Sequence, residues 1–153
     1  MKKIFIIFYI LTSSSYASYE ILDTKYIYTI KMKSGSFEDT FIQLKNEIAH
    51  NSYVIINELN LAKSTNNIAK VLDKKEILNK GKTFLICKGT FALQMLEENI
   101  SNITYCPLAI SIYEKNLNIF ISFRKYKSFS TKDTIANEIN KQLKKVILNS
   151  LKD

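Results

Sequence analysis

The sequence predicts an α+β fold: a two-layer sandwich with a mixed, mainly antiparallel sheet of about five strands and helices packed on one face. The first reason is the order of the segments, β-α-β-α-β-α-β-β-α, in which alternating runs are interleaved with runs of helical spacing. The second is the composition, because 153 residues that are 46% hydrophobic and 24% charged suit one packed domain and exclude a disordered chain. The third is the shortage of linker residues, with only one Pro and three Gly.

The first 17 residues have the pattern of a secretory signal peptide. Lys2 and Lys3 precede an apolar run at residues 4–11, and small residues lead to Ala17. A membrane-spanning helix needs about 20 apolar residues, so this run is too short to be one, and no later run is longer. We expect cleavage after Ala17, which leaves residues 18–153 as a single α+β domain without a transmembrane segment. The Lys- and Ile-rich leader is typical of bacteria and predicts a periplasmic or secreted protein.

Alternation and helical spacing define the elements of the first half. Residues 25–33 alternate as a half-buried strand, with Tyr26, Tyr28, Ile30 and Met32 on one face. Ser36 and Asp39 form a capping box that starts a helix. Its apolar stripe is Phe37, Phe41, Leu44 and Ile48. Residues 53–59 read as a second strand, and residues 61–72 as a helix. The anchors of that helix are Leu61, Ile68, Val71 and Leu72.

The second half is predicted in the same way. Residues 83–87 are a short apolar run and predict a central strand, followed by a helix from Gly89. The inward-facing residues of that helix are Phe91, Ala92, Met95 and Leu96. Two alternating runs around residues 114–116 predict a hairpin. Ser130 and Asp133 repeat the capping box. The last helix then carries Ile135, Ile139, Leu143, Ile147 and Leu151 at four-residue spacing.

The composition also excludes several classes of function. One His and two Cys leave no zinc-finger spacing and no two-His metal helix, and three Gly exclude a dinucleotide-binding fingerprint and a P-loop. His50 closes the first helix, where a cation suits the helix dipole. We therefore predict no metal site, no cofactor and no catalytic residue.

Cys87 and Cys106 are the two thiols, and an oxidising compartment favours a disulfide. A crossover helix between them predicts that their strands run parallel, with the thiols at opposite ends and about 16 Å apart. A disulfide requires Cα atoms within about 7 Å. We therefore favour a buried, inert Cys87, and the alternative is that residues 101–105 fold Cys106 back to it.

A candidate ligand site follows the third strand. Free N–H groups where Gly89 and Thr90 open a helix could bind an anion, with Lys88 adding positive charge. The alternative, which we favour, is that Thr90 caps the helix and Gly89 relieves backbone strain. The candidate ligand-binding residues are Cys87, Lys88, Gly89, Thr90, Cys106 and Tyr113. Tyr113, with Tyr26 and Tyr28, is expected to line a ligand-accepting or dimer face.

The charge of the chain is +8, and removal of the leader lowers it by two. The basic groups are Lys74, Lys75, Lys80 and Lys82, then Arg124, Lys125 and Lys127, and last Lys141, Lys144 and Lys145. A secreted protein seldom meets nucleic acid. The positive charge therefore favours anionic lipid, a cell-wall polymer or an acidic protein as a partner. The expected partners overall are a small anionic or apolar ligand or an envelope protein. A third alternative is an envelope-surface protein that binds anionic lipid through its basic last helix.

From about residue 36 to residue 126 the chain resembles the bacterial domain of unknown function 302 (DUF302) family. The matching segments are residues 41–44, residues 53–60, the strand ending at Cys87 with the helix at residues 91–96, Pro107 with residues 110–114, and residues 119–123. The resemblance implies a small α+β fold that pairs as a homodimer and has no established activity.

This sequence departs from the family at two positions. The family typically has Cys-Asn-Pro where this chain has Cys87-Lys88-Gly89, and often Pro-Cys where this chain has Pro107-Leu108. We therefore transfer no catalytic role from the family to this chain.

The function we favour is a non-enzymatic ligand- or protein-binding accessory protein. The alternative is a thiol-based redox or metal-handling protein that uses Cys87 and Cys106.

Overall fold

A computed structural model describes residues 18–127 and 134–152. Its elements are β1 (Tyr19–Asp23), β2 (Ile27–Met32), α1 (Phe37–His50), β3 (Val54–Asn60), α2 (Leu61–Val71), β4 (Lys80–Cys87), α3 (Gly89–Glu98), a 3₁₀ helix (Ile100–Tyr105), β5 (Leu108–Lys115), β6 (Asn118–Arg124) and α4 (Thr134–Asn149). The predicted signal peptide and the capping box at Ser130 and Asp133 lie outside the described residues. None of the helices in the described ranges is long and apolar enough to cross a membrane.

The strands form one sheet in the order β1-β2-β6-β5-β4-β3, and every neighbouring pair is antiparallel. The predicted α+β fold is confirmed, with six strands instead of about five. β1 is the additional strand, and its five residues are all exposed at the edge of the sheet. Such a strand has no buried face, so hydrophobic alternation does not mark it. The predicted central strand, β4, lies next to the edge strand β3, and the two central strands are β6 and β5.

The predicted parallel arrangement of β4 and β5 is wrong. Ile86 lies opposite Leu108, and Lys80 opposite Glu114, so the two strands run in opposite directions. The connection between them is two segments, α3 and the 3₁₀ helix, joined at Asn99. The second segment returns the chain to the end of the sheet that it left. Because the chain enters β5 at the end of the sheet where it left β4, the two strands run antiparallel.

The core lies between one face of the sheet and the helices. Alternate strand residues supply the sheet side of it, including Ile30, Phe84, Ile86, Ile110, Ile112 and Ile121, all fully buried. The predicted stripes of α1 and α4 supply the helix side through Leu44, Ile48, Ile139, Leu143 and Ile147. The N-terminus of α1 is capped as predicted, because the Ser36 Oγ accepts a hydrogen bond from the Asp39 N–H at 3.2 Å.

The predicted anchors of α2 do not face the core. Leu61, Ile68, Val71 and Leu72 are all exposed, and Ala62 is the buried residue of the helix. A small residue allows α2 to approach β4 closely, so the large apolar residues next to it are left on the surface. The spacing of apolar residues predicted the helix correctly but assigned its buried side wrongly.

The predicted hairpin is present, and its turn consists of Asn116 and Leu117. Both residues have positive φ, 52° and 61°. Two consecutive residues of positive φ define the type I′ turn, whose twist matches that of the flanking strands.

Candidate functional site

The sheet has a second face, which points away from the core and which we call the outer face. In β5 and β6 the residues that alternate with the buried ones point to it, namely Ala109, Ser111, Ser122 and Arg124. Together with Ile27 and Pro107 they line an open cavity of about 310 Å³, which we call the outer cavity. This volume is at the lower end of the range for small-molecule sites.

Arg124 is the cation of the outer cavity, and its side chain is exposed. Within residues 18–127 and 134–152, no carboxylate lies within ion-pairing distance of its guanidinium. Tyr126 lies beside it. Burial raises the pKa of the Tyr126 phenol, while the hydrogen bond from the Ala109 N–H and the positive charge of Arg124 act in the opposite direction. Tyr126 also lines the outer cavity.

A row of hydroxyl side chains crosses the outer face. Thr29 lies opposite Ser122, Ser122 opposite Ser111, and Ser111 opposite Thr83, so one row spans β2, β6, β5 and β4. Directly opposed residues of antiparallel strands share a face. The Thr83 Oγ1 and the Ser111 Oγ share a hydrogen bond of 2.8 Å. Two members of the row, Ser111 and Ser122, line the outer cavity.

Both thiols lie at one end of the sheet. Cys87 is the last residue of β4 and lies opposite Val54, and Cys106 lies two residues before Leu108, the partner of Ile86. Both are free and partly exposed. Burial raises the pKa of the Cys106 thiol, and the neighbouring Cys87 adds to the effect. The expected separation of about 16 Å rested on a parallel pair of strands, and the antiparallel pair removes that argument against a disulfide.

The Lys88 amine is directed to α1 and its C-terminal loop. Its Nζ donates a hydrogen bond to the Asn51 carbonyl oxygen at 3.1 Å and lies 5.3 Å and 5.1 Å from the ring centroids of Tyr53 and Phe91. Lys88 is the N-cap residue of α3 and makes no side-chain capping hydrogen bond. The predicted cap, Thr90, is an exposed residue in the first turn, which begins at Gly89.

The structure separates the predicted tyrosines. Tyr28 is buried in the core, where its ring lies 5.6 Å from that of Phe123, while Tyr26 lies outside the strands and is exposed. Tyr113 points to the outer face and stacks on Phe120 with 4.9 Å between ring centroids. It lies five residues beyond Leu108 along β5, about 17 Å from the end that carries the thiols. The six predicted ligand-binding residues therefore do not form one site.

His50 is the last residue of α1, as predicted, and is exposed. No three His, Cys, Asp or Glu side chains in the described ranges are placed to share a metal ion.

The comparison with family models matches residues 28–150 to the domain of unknown function DUF302. This chain belongs to the DUF302 family. The match begins one residue into β2 and ends after α4, so it includes both thiols and the lining of the outer cavity except Ile27. A search of curated proteins finds no match.

A similar fold occurs in the crystal structure of an uncharacterised conserved DUF302 protein from Bacillus stearothermophilus. The two structures have a TM-score of 0.69 at 15% sequence identity, over 83% of this chain and 99% of the other. At this identity the comparison supports the DUF302 fold, and the roles of individual residues must be argued from their own surroundings.

Sequence reasoning missed the outer cavity, although the signal was present in the hairpin. Ser111 and Ser122 alternate with Ile110, Ile112 and Ile121, which marks them as residues of the opposite face. In the sequence, Arg124 stands out only as part of a basic group with Lys125 and Lys127. The register of β6 on β5 was needed to bring it together with the two serines in the same cavity.

Proposed function

We propose that this DUF302 protein is an exported, non-catalytic binding protein that holds a small amphipathic anion in the outer cavity. The observation that carries the proposal is the Arg124 guanidinium, which lies at the cavity without a carboxylate partner among the described residues. An Arg guanidinium presents a planar set of donors that matches a carboxylate or phosphate.

The rest of the lining suits a short hydrocarbon chain attached to that anion. Ile27, Ala109 and Pro107 supply apolar surface, and Ser122 supplies a hydroxyl. A cavity of about 310 Å³ matches the size of a ligand of a few carbon atoms. The ligand class is therefore a short-chain carboxylate or a compound of similar size and charge.

The non-catalytic part of the proposal rests on Ser111. A serine nucleophile needs a neighbouring base to remove its proton. The Ser111 hydroxyl bonds instead to the hydroxyl of Thr83, which is not a base at neutral pH. Ser111 is thus placed to hold a ligand and not to attack it.

The test uses the form of the protein that begins at residue 18. This protein is titrated with hexanoate, and two-dimensional NMR monitors the amide chemical shifts. We expect shifts at the amides of Ala109, Ser111 and Ser122, and none with hexanol, which lacks the charge. Arg124→Gln should abolish them. The matched control is Lys115→Gln, which removes an exposed cation from the other end of the hairpin and should leave them unchanged. Shifts elsewhere, or shifts that survive Arg124→Gln, would refute this site.

A second candidate, a thiol redox protein, is favoured by one observation: Cys87 and Cys106 lie at the same end of the sheet. In its reaction one thiolate attacks glutathione disulfide and releases one glutathione. The second thiolate then attacks the mixed disulfide and releases the other, so two thiols are oxidised and one disulfide is reduced. This requires the sulfur atoms to come into contact.

Intact-protein mass spectrometry distinguishes the two candidates. If the protein is a redox protein, treatment with glutathione disulfide lowers its mass by two hydrogen atoms per chain. The variants Cys87→Ser and Cys106→Ser, treated in the same way, each retain one bound glutathione. A chain that retains glutathione on both thiols has no internal disulfide, and the redox candidate is then rejected. Sedimentation velocity on the same sample tests the homodimer, which stays a prediction.

A further inference from the structure

One flank of α2, about 100° around the helix from the buried Ala62, carries large apolar residues beside Thr65, and nothing in the described part of the chain covers them. Leu61, Ile68 and Leu72 fall within roughly 40° of one another at 100° per residue, and we call them the α2 stripe. They are 41%, 59% and 56% exposed. Val71 beside them and Ile77 after the helix are more exposed still. The helix packs on the protein through Ala62, so this stripe contributes nothing to the core.

Three lysines and one carboxylate, Asp73, lie around α2. Lys63 lies on the opposite side of the helix, and Lys74 and Lys75 follow its C-terminal end. None of these three has an ion-pair partner among residues 18–127 and 134–152. Lys70 is paired with Glu76 at 3.6 Å. A helix with large apolar residues on one side and lysines on the other is the pattern of a segment that lies in a membrane interface.

We infer that α2 docks on an anionic lipid surface, with the α2 stripe inserted among the acyl chains and Lys63, Lys74 and Lys75 at the headgroups. A second copy of the chain fits the same surface poorly. A two-fold contact through the stripe would bring the same unpaired lysines of both copies together. Anionic headgroups complement these lysines, and each lysine near the surface raises the affinity for the membrane about fivefold.

The absence of Trp from the sequence permits a direct test. In the form that begins at residue 18, Ile68→Trp places a single reporter in the α2 stripe. Leu93→Trp places one on α3, at a position that is also 59% exposed. Omission of the apolar run at residues 4–11 is necessary because that run would itself bind lipid. The probes are vesicles of phosphatidylglycerol with phosphatidylethanolamine, and vesicles of phosphatidylcholine alone.

We expect the emission of Ile68→Trp to shift to shorter wavelength with the anionic vesicles and to stay unchanged with phosphatidylcholine. The emission of Leu93→Trp should not shift with either. In sedimentation with anionic vesicles, Leu72→Ser and the double variant Lys74→Gln/Lys75→Gln should each weaken binding at least tenfold, and Leu93→Ser should not. Melting temperatures confirm that the variants are folded.

Three results would overturn the inference. The first is a lack of binding to anionic vesicles at low salt. The second is binding that Leu72→Ser leaves intact, because charge alone would then explain it. The third is self-association that Leu72→Ser abolishes without vesicles, because the stripe would then be covered by a second copy. None of these results bears on the outer cavity, whose ligand is tested separately.

Discussion

Ile86 and Leu108 lie opposite each other in the antiparallel ladder of β4 and β5. Because Cys87 follows the first of these residues and Cys106 precedes the second by two positions, both thiols lie at one end of the sheet. The proximity has an electrostatic consequence. Burial and the neighbouring Cys87 raise the pKa of the Cys106 thiol, so less of it is thiolate at neutral pH than in an ordinary cysteine.

We therefore predict that iodoacetamide alkylates Cys106 more slowly in the folded protein than in denaturant at pH 8, and that Cys87→Ser accelerates this alkylation in the folded protein. The thiolate is the reactive form, and removal of the neighbouring Cys87 lowers the pKa of Cys106. Peptide mass spectrometry follows the modification of Cys106 in both proteins. The same measurement in denaturant is the control and should give equal rates. A rate in folded Cys87→Ser that is unchanged or lower would contradict the prediction.

The features predicted correctly from the sequence depend on neighbours along the chain. The cap formed by Ser36 and Asp39 and the hairpin turn at Asn116 need only local geometry. The missed features depend on contacts between distant segments. The direction of β5 is set by the return of the chain at Asn99, and the buried side of α2 by the close approach of Ala62. Neither leaves a periodic signal. Alternation marks Ser111 and Arg124 as outer-face residues, but only the register of β6 on β5 places both at the outer cavity.

Tyr53 and Tyr126 are both buried but differ in hydrogen bonding. The Tyr53 hydroxyl has no hydrogen-bond partner among the described residues, whereas the Tyr126 hydroxyl accepts one from the Ala109 N–H at 2.9 Å. We predict that Tyr53→Phe raises the free energy of unfolding by about 1 kcal/mol, and that Tyr126→Phe lowers it by about 1–2 kcal/mol. Urea unfolding at pH 7 measures both. Equal effects of the two substitutions would show that hydrogen bonding does not determine the outcome.

Tyr53 also predicts how stability depends on alkaline pH. Burial raises the pKa of its phenol far above the ordinary value of 10.0, with Glu138 adding to the effect. In the unfolded chain this phenol loses its proton near pH 10 while the folded protein keeps it. The folded state therefore binds more protons, and stability falls as the pH rises above 10. We expect Tyr53→Phe to make this decline shallower in urea unfolding between pH 9 and pH 11. An identical decline would place its cause in other groups.

Two helices end at residues of positive φ that are not glycine. Ser52 after α1 has φ 61°, and its N–H bonds to the Ala49 carbonyl, while Asp73 after α2 has φ 51°. This arrangement is the Schellman motif, in which glycine is preferred because it has no Cβ. We predict that Ser52→Gly raises the free energy of unfolding by about 0.5–1 kcal/mol, or the melting temperature by about 2–4 °C.

The matched control is Ser64→Gly, which makes the same change inside α2 and should lower stability by about 0.5 kcal/mol. Thermal unfolding of the two variants should thus give effects of opposite sign. Destabilisation by Ser52→Gly would mean that the conformational freedom of glycine in the unfolded chain outweighs the strain relieved at this position.

Asp23 joins three elements at the edge of the sheet. The Lys144 Nζ of α4 lies 2.8 Å from its carboxylate, and Lys125, just beyond β6, forms a second ion pair with it. Hydrogen bonds from Lys125 and then Lys144 lower the pKa of the Asp23 carboxyl below 3.8. The stabilising contribution is thus present above the unfolded pKa and is lost as the pH falls through the lower folded value.

We predict that Asp23→Asn lowers the melting temperature by about 1–3 °C at low salt and by less in 1 M NaCl, because exposed ion pairs are weak and screened. Glu20→Gln is the control: it removes the single, longer pair with Lys31 at 3.5 Å and should change the melting temperature by less than about 1 °C. The difference between Asp23→Asn and the parent should shrink as the pH falls below 3.8, because the unfolded chain takes up a proton on Asp23 before the folded protein does. A difference that persists at low pH or in 1 M salt would show that Asp23 acts through packing, not through charge.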